Sequence, residues 1–220
     1  MITGASRGIG LALVKWFSAN HHKVWALSRN TTPIAQLNLP NVTVNALDLT
    51  DEDAVAAWSQ NEAPDNIDAL INNAGKLVNK PFAETTQSDF EAVFKVNVFG
   101  LANITRALLK KLQSAGHVVN ISSMGGIGGT SKFPGLAAYS SSKGAVSILT
   151  ELLAEELKET GPAVNALALG AVQTEMLSNA FPGLEVPMTA AMMADYIAQF
   201  ALDGHLFYNG KVLLVSNTTP

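Results

Sequence analysis

The sequence contains no cysteine, and only 15% of its 220 residues are charged. Without cysteine there is no disulfide, no thiolate nucleophile and no zinc site built on cysteine. The net charge of −4 provides no basic field for a polyanion, so nucleic acid is not expected as a partner. No apolar run approaches the roughly 18 residues that a membrane span needs. We therefore expect a cytoplasmic protein with neither a signal peptide nor a membrane partner.

Histidine is also scarce. The four histidines are His21, His22, His117 and His205. Their positions are scattered and do not repeat the short intervals of metal-ligand pairs. The sequence therefore predicts structural or surface roles for them and no metal site.

A large apolar fraction, 48% of the chain, is arranged in alternating short and long patterns. Short β-branched runs predict strands at Lys23–Ser28, Val42–Ala46, Ile67–Asn72, His117–Ser122, Ala163–Leu169 and Lys211–Val215. Helices are predicted at Gly8–Ala19, Glu52–Gln60, Ser88–Ser114, Ala138–Glu159 and Ala190–Ala201, with Gly161-Pro162 ending the fourth. This alternation predicts a doubly wound α/β fold, in which one parallel sheet carries helices on both faces. We expect a single domain over residues 1–220.

A glycine-rich turn, Thr3-Gly-Ala-Ser-Arg-Gly-Ile-Gly10, leads into the first predicted helix. Glycines there allow a tight turn and a close approach of the backbone to a pyrophosphate, which the amides at the helix start would face. The spacing is GxxxGxG rather than the GxGxxG of the usual dinucleotide fingerprint. A turn that merely starts a helix is the alternative interpretation.

Tyr139 and Lys143 are four residues apart in a helical pattern, which places both side chains on one face. An ammonium beside a phenol favours the phenolate and lowers the tyrosine pKa, which suits a general acid/base. On spacing alone the pair is equally compatible with a solvated helix face.

Together these motifs resemble the short-chain dehydrogenase/reductase family, and they occur in the family's order. The quoted matches are Thr3–Gly10, Asn73-Ala74-Gly75, Asn97, Ser123 and Tyr139-x-x-x-Lys143. The resemblance runs from Thr3 to the last strand near Val215. It implies a Rossmann-like sheet of about seven strands and an oxidoreductase that transfers a hydride between a nicotinamide cofactor and a carbonyl or alcohol substrate.

The resemblance assigns the catalytic set to Asn97, Ser123, Tyr139 and Lys143. Ser123 hydrogen-bonds the substrate oxygen and Tyr139 is the general acid/base, whereas Ser122 is expected to be structural. Lys143 lowers the tyrosine pKa and holds the nicotinamide ribose, and Asn97 holds a water in a locally opened helical turn.

The predicted cofactor is NADP(H). The second strand ends in Ser28 and Arg29 without an acid, and Arg29 and Arg7 are cations suited to a 2′-phosphate, unless both are ordinary surface charges. Asp48 and Leu49 resemble the adenine-edge contact, although Asp48 equally suits a helix cap. The complete predicted cofactor set is Gly4, Ser6, Arg7, Gly8, Ile9, Gly10, Ser28, Arg29, Asp48, Leu49, Asn73, Ala74, Gly75, Tyr139, Lys143, Gly170, Val172 and Thr174.

The sequence departs from the family pattern in three places. Leu169 precedes Gly170 where relatives usually have proline, so a looser turn is expected. Only Met1 and Ile2 precede Thr3, so the first strand is expected to be truncated and the natural protein to begin upstream. The substrate loop near 177–188 is short. Its apolar residues form either a small lid or ordinary packing, and they are Met176, Leu177, Phe181, Leu184 and Met188.

Two other functions compete with a carbonyl reductase or alcohol dehydrogenase. One is an NADP(H)-binding sensor or interaction protein with little turnover. The other is an epimerase or dehydratase, for which the chain is too short. By resemblance a homodimer or homotetramer is expected, paired through helices Ser88–Ser114 and Ala138–Glu159. Neither the substrate nor the direction of reaction follows from the sequence.

Overall fold

The computed structural model describes residues 1–217, so the last three residues of the predicted domain lie outside the described part. Seven parallel strands form one sheet in the order β3-β2-β1-β4-β5-β6-β7. The strands are β1 Ile2–Thr3, β2 Val24–Ser28, β3 Val42–Ala46, β4 Ile67–Asn72, β5 Leu112–Ser123, β6 Ala163–Leu169 and β7 Val212–Val215. The doubly wound fold predicted from the alternating pattern is confirmed.

Helices cover both faces of the sheet. They are α1 Gly8–Ala19, α2 Thr32–Ala35, α3 Glu52–Asn61, α4 Gln87–Phe94, α5 Leu101–Leu108, α6 Ala137–Leu157, α7 Glu175–Ala180 and α8 Ala190–Asp203, and a π-helix at Lys95–Gly100 joins α4 to α5. Successive residues of β5 point to opposite faces, so Val119 packs in the core beneath α1 and α8 while Val118 packs beneath α3 and α5. No helix in residues 1–217 is both long and apolar enough to span a membrane.

Strand bounds were predicted well, and the bounds of β3, β4 and β6 agree at both ends. The helix predicted at Ser88–Ser114 is wrong over its last six residues, because α5 ends at Leu108 and Leu112 already pairs with Ile67 in the sheet. Leu109 and Leu112 continue the helical spacing of apolar residues, which concealed the break. The long β5 therefore starts five residues before the predicted His117.

Helix α6 ends at Leu157, two residues before the predicted Glu159. The backbone amide of Gly161 donates to the Leu157 carbonyl at 2.7 Å. A Cβ at Gly161 would lie 2.8 Å from the Leu157 Cβ, so glycine is needed for this close approach. The Gly161-Pro162 stop signal is thus confirmed, with the helix ending earlier than predicted.

The first strand has only two residues, although it lies at the centre of the sheet. Ile2 pairs with Ala26 of β2 and with Ile71 of β4. The amino group of Met1 donates to the Ala69 carbonyl at 2.7 Å, and burial lowers the pKa of this amino group to about 5. The expectation of a short first strand is confirmed.

His117 is fully buried beneath α8 and is held as a neutral ring. Its Nε2 accepts from the Asn165 side-chain amide at 2.9 Å, and its Nδ1 contacts the Ala201 carbonyl at 3.3 Å. Burial lowers the pKa of His117 to about 4. A structural role for this histidine, as predicted, agrees with these contacts.

We predict that His117 makes the fold sensitive to acid. In the unfolded state His117 takes up a proton below its ordinary pKa of 6.5, whereas in the folded state it does so only near pH 4. The free energy of unfolding is therefore undiminished above pH 6.5 and falls between pH 6.5 and pH 4. The loss should reach about 3 kcal/mol. Denaturant midpoints of His117→Asn should be lower at neutral pH and much less dependent on pH. His21→Asn, a change at an exposed histidine, serves as the control, and an unaltered pH profile in His117→Asn would contradict the assignment.

Candidate active site

A cavity of about 550 Å³ lies at the carboxyl ends of the strands, beside the point between β1 and β4 where the winding of the sheet reverses. Open α/β sheets bind ligands at this position. Most of the predicted site residues line it: Gly4, Ser6, Arg7, Gly8, Ile9, Ser28, Arg29, Asp48, Leu49, Asn73, Ala74, Gly75, Ser123, Tyr139, Lys143, Gly170, Val172 and Thr174. Two predicted residues, Gly10 and Asn97, lie behind its wall and are not lining residues.

The glycine loop before α1 is shaped by close backbone contacts. Gly4 and Gly8 have φ angles of +65° and +53°, in the left-handed region that favours glycine. A Cβ on Gly4 would lie 2.7 Å from the Ala74 Cα, and one on Gly10 would collide with the Gly4 carbonyl. Helix α1 has neither a side-chain cap nor an acidic residue in its first turn, so its amino end favours an anion.

Thr3 and Asn73 lock this loop to the turn after β4. The Thr3 hydroxyl oxygen accepts from the amides of Asn73 and Ala74 at 3.0 and 3.1 Å. In return the Asn73 side chain donates to the carbonyls of Thr3 and Gly4 at 3.1 and 3.2 Å. Asn73, which was predicted as a cofactor-binding residue, therefore stabilises the conformation of the glycine loop.

The ends of β2 and β3 carry Arg29 and Asp48. Burial opposes ionisation of Asp48, but hydrogen bonds from Thr50 and the charges of Arg29 and Lys95 hold the pKa of its carboxyl below the ordinary value. Its Oδ1 accepts from the Thr50 amide and hydroxyl at 3.0 and 2.8 Å. The helix-cap alternative for Asp48 is wrong, because Asp51 caps α3 by accepting from the Ala54 amide at 2.9 Å.

Arg7 lies near an acid that the sequence did not single out. Its Nη1 is 3.6 Å from Glu175 Oε2 across the mouth of the cavity, and both side chains are exposed. Such exposed pairs contribute little to stability, about 0–1 kcal/mol, so Arg7 is free to exchange this partner for another anion.

Ser123, Tyr139 and Lys143 converge on one side of the cavity. Ser123 ends β5, while Tyr139 lies in the first turn of α6 with Lys143 one turn later. The Ser123 hydroxyl is near enough to the Tyr139 phenol to favour its ionisation. The pair thus presents two hydroxyls together at the cavity wall.

The pKa of Tyr139 differs from expectation. Burial raises it to about 12, against a smaller lowering effect of the Ser123 hydrogen bond. The Lys143 Nζ instead donates to the Ile121 carbonyl at 2.7 Å and lies 5.8 Å from the centre of the tyrosine ring. Burial lowers the pKa of Lys143 to about 8. The expectation that the ammonium lowers the tyrosine pKa is therefore wrong for the protein alone, because desolvation dominates at this separation.

Asn97 lies in the π-helix Lys95–Gly100 and is buried, which agrees with the locally opened turn expected for it. Its side chain exchanges two hydrogen bonds with the backbone of Lys76, at 2.7 and 3.0 Å. It also donates to the Ser142 hydroxyl at 2.8 Å, and Ser142 donates to the Tyr139 carbonyl at 2.6 Å. Sequence reasoning missed Ser142, which couples Asn97 to the helix that carries the tyrosine.

Ser122 is buried at the cavity wall and fixes α6 to the sheet. Its hydroxyl donates to the Lys143 carbonyl at 3.0 Å and lies 3.2 Å from the Ser147 hydroxyl. These contacts agree with the structural role expected for Ser122. They also hold the backbone of Lys143 in place.

A buried row of polar side chains crosses the sheet toward α6. Asn72 donates to Thr105 of α5 and to Asn120 of β5, both at 2.9 Å, and Asn120 donates to Thr150 of α6 at 2.9 Å. The signal in the sequence was an asparagine inside two apolar strands, which the motif search did not use. This row fixes α6 laterally against β4 and β5.

The other side of the cavity is mainly apolar and is covered by α7 and the loop after β5. Four of the five apolar residues of the short substrate loop line the cavity, namely Met176, Leu177, Phe181 and Leu184, whereas Met188 packs against the core. The loop after β5 contributes Ser131 and Phe133. Leu169 occupies the position where relatives usually have proline. It pairs with Ser123 of β5 and with Val215 of β7, so the sheet continues through this position.

Asn79 joins the two sides of this cover. Its side-chain amide donates to the Ala180 carbonyl at the end of α7, at 2.6 Å, and the Lys80 amide donates to the Gly135 carbonyl at 3.0 Å. These bonds connect the segment after β4 with α7 and with the loop after β5. Asn79 was not predicted, since nothing in the sequence relates it to a residue so far along the chain.

We predict that Asn79→Ala loosens α7. Without the bond to Ala180, the α7 amides that donate within the helix, such as that of Ser178, should exchange about fivefold faster, as expected for the loss of one hydrogen bond of about 1 kcal/mol. Hydrogen exchange followed by mass spectrometry measures this. Asn61→Ala removes a comparable side-chain bond, to the Ala57 carbonyl, far from the cavity and should leave α7 unchanged. Equal exchange in wild type and Asn79→Ala would contradict the role.

Comparisons with known proteins agree with this geometry. A family model described as short chain dehydrogenase matches residues 1–185. The chain is 34% identical over 181 residues to carbonyl reductase (NADPH) 2 from Sus scrofa, covering 80% of this chain and 72% of that protein. The solved structure of ElxO with NADP bound is 28% identical, with a TM-score of 0.81 over 97% of this chain and 95% of that one. The structure of 4-hydroxyisoleucine dehydrogenase complexed with NADH is 25% identical, with a TM-score of 0.85 over 98% and 96%.

Proposed function

The chain belongs to the short-chain dehydrogenase family, and from this premise we propose that it is an oxidoreductase that uses NADP(H) to reduce a carbonyl compound or oxidise the corresponding alcohol. The observation that carries the proposal is that Ser123, Tyr139 and Lys143 line the same cavity as the glycine loop. This membership confirms the family resemblance that was inferred from the sequence motifs.

The residues around the glycine loop fit a dinucleotide. Gly4 and Gly10 leave no room for a Cβ, and the amino end of α1 favours a diphosphate. When bound, the nicotinamide cofactor supplies or accepts the hydride. The chain's own residues orient the substrate and move the proton.

In the proposed reduction, Ser123 and Tyr139 both donate hydrogen bonds to the carbonyl oxygen, where negative charge develops. Tyr139 then gives its proton to that oxygen. A phenol with a pKa of about 12 is protonated at neutral pH, so in the protein alone Tyr139 holds the proton that the acid role requires. Lys143 is proposed to return a proton to the tyrosine, with a water held by Asn97 connecting it to solvent; Lys143 and Asn97 both lie close to Gly75.

The proposed preference for NADP(H) rests on Arg29 and Arg7. Arg29 follows β2 without a neighbouring acid in the position that would repel a 2′-phosphate, and both arginines line the cavity. The relatives differ in this respect, because the names of two of them specify NADP or NADPH and that of a third specifies NADH.

We predict that Arg29→Ala weakens NADPH binding by about 10- to 100-fold, as expected for the loss of a charge-assisted hydrogen bond, with little change for NADH. Fluorescence titrations with each cofactor measure the two dissociation constants. Arg106→Ala, at an arginine that pairs with Glu52 outside the cavity, is the matched control. If Arg29→Ala weakens NADPH and NADH equally, the 2′-phosphate assignment fails.

We predict that Tyr139→Phe lowers kcat by about 10²- to 10⁴-fold, the usual contribution of a general acid. NADPH-dependent reduction of a panel of aldehydes and ketones provides the measurement, and NADPH binding should be nearly unchanged. Tyr196→Phe, on α8, should behave like wild type. Tight NADPH binding without turnover of any carbonyl in the wild-type protein would favour the sensor function instead.

We also propose that the protein forms homo-oligomers in the cytoplasm. Helix α6 exposes Ile148 and Leu152, which are four residues apart and so lie on one face. Phe99, in the π-helix of the second long helical segment, is exposed as well. Apolar residues on both segments support the helix pairing that the family resemblance implies.

A further inference from the structure

Charge is distributed unevenly around the cavity. The charged residues among its lining are Arg7, Arg29, Asp48, Lys143 and Glu175. Arg29 and Asp48 follow β2 and β3 and Arg7 precedes α1, so three of the five lie on the side of β1 to β3. Glu175, the first residue of α7, faces Arg7 across the mouth of the cavity. The fifth, Lys143, is buried with its ammonium on the Ile121 carbonyl.

Around Ser123 and Tyr139 the remaining wall is apolar. It is formed by Leu77, Phe133, Leu136, Leu177, Phe181 and Leu184. Its polar side chains, such as Ser131, carry hydroxyl groups and no charge. Apart from Lys143 and the acidic Glu175 at the mouth, no charged residue of the described chain lines this half of the cavity.

Two lysines on the adjoining segments already have partners. The Lys132 ammonium donates to the carbonyls of Ile127 and Thr130, at 2.6 and 2.9 Å. The Lys80 ammonium is 2.9 Å from the Asp89 carboxylate. Neither lysine lines the cavity, and each ammonium already has these acceptors in its own surroundings.

We propose that the substrate is a neutral carbonyl compound with apolar substituents, rather than an oxo acid or another anion. This assignment rests on the proposed function, since it takes Ser123 and Tyr139 as the groups that receive the carbonyl oxygen. Contact between the apolar wall and the hydrocarbon substituents of a substrate removes apolar surface from water, which favours binding. A carboxylate placed against the same wall would lose its water without gaining a cation or a set of hydrogen-bond donors.

The test uses two substrates that differ in charge and otherwise by a single methyl group. One is an acetophenone with a propanoate chain in the para position, and the other is the methyl ester of the same compound. The aromatic ring and two methylene groups separate the ketone from the acid, so the reactivity of the ketone is nearly the same in both compounds. With NADPH, kcat/KM for the ester should exceed that for the acid by about tenfold or more, mainly through KM.

A pair of variants tests the cause of this preference. Leu184 is on the exposed rim of the apolar wall, and Leu206 is exposed but does not line the cavity. Leu184→Arg provides the missing cation and should lower the ratio of kcat/KM for the ester to kcat/KM for the acid by about tenfold. High salt should weaken this effect. Leu206→Arg adds the same charge elsewhere and should leave the ratio unchanged.

The outcomes separate the two proposals. If the wild-type enzyme reduces the acid as well as the ester, the substrate assignment is overturned while the proposed function stands. If Leu184→Arg leaves a wild-type preference unaltered, the missing cation is not its cause and the assignment is overturned. If NADPH binds but neither compound nor any other carbonyl is reduced, the proposed function fails and the assignment fails with it.

Discussion

The close approach of two turns at the centre of the sheet determines where the site can form. The glycine loop after β1 and the turn after β4 touch at Gly4 and Ala74, and the absence of a Cβ at Gly4 is what permits the contact. Thr3 and Asn73 then hold the two backbones together. Because β1 and β4 are neighbours at the reversal of winding, the connections that follow them lead to opposite faces and leave a crevice between them. The cofactor side and the catalytic side of the cavity both depend on that crevice.

Burial, more than pairing of charges, decides the protonation of the catalytic residues. Four-residue spacing on a helix suggested an ammonium acting directly on a phenol. In the fold, the Lys143 ammonium is directed to the Ile121 carbonyl and the Tyr139 phenol to Ser123. Each group is separately desolvated, so the pKa of the tyrosine rises and that of the lysine falls. Both changes favour the neutral forms, and a neutral phenol is the form able to donate a proton.

Local patterns predicted the sheet and most of the residues that line the cavity, because strands, turns and motifs are determined over short stretches of chain. The same locality explains the failure at Ser88–Ser114, where Leu109 and Leu112 continued a helical spacing that the pairing of Leu112 with Ile67 overrides. Ser142, Asn79 and Glu175 could not be found this way. Asn79 and Ala180 are 101 residues apart and meet only in the folded protein. Contacts of this kind depend on how the connections pack above the sheet, which periodicity does not describe.

The two halves of the cavity differ in how they are built, and this difference bears on selectivity. Short turns at the ends of regular strands present the charged residues of the cofactor half, so their positions follow from the sheet. The apolar half comes largely from α7 and the loop after β5, which are joined to the body by a few bonds such as that of Asn79. Changes in those segments alter the substrate wall without disturbing the crevice or the hydrogen bonds around Tyr139. The sheet therefore positions the residues proposed for the reaction, whereas α7 and the loop after β5 form the wall proposed to select the substrate.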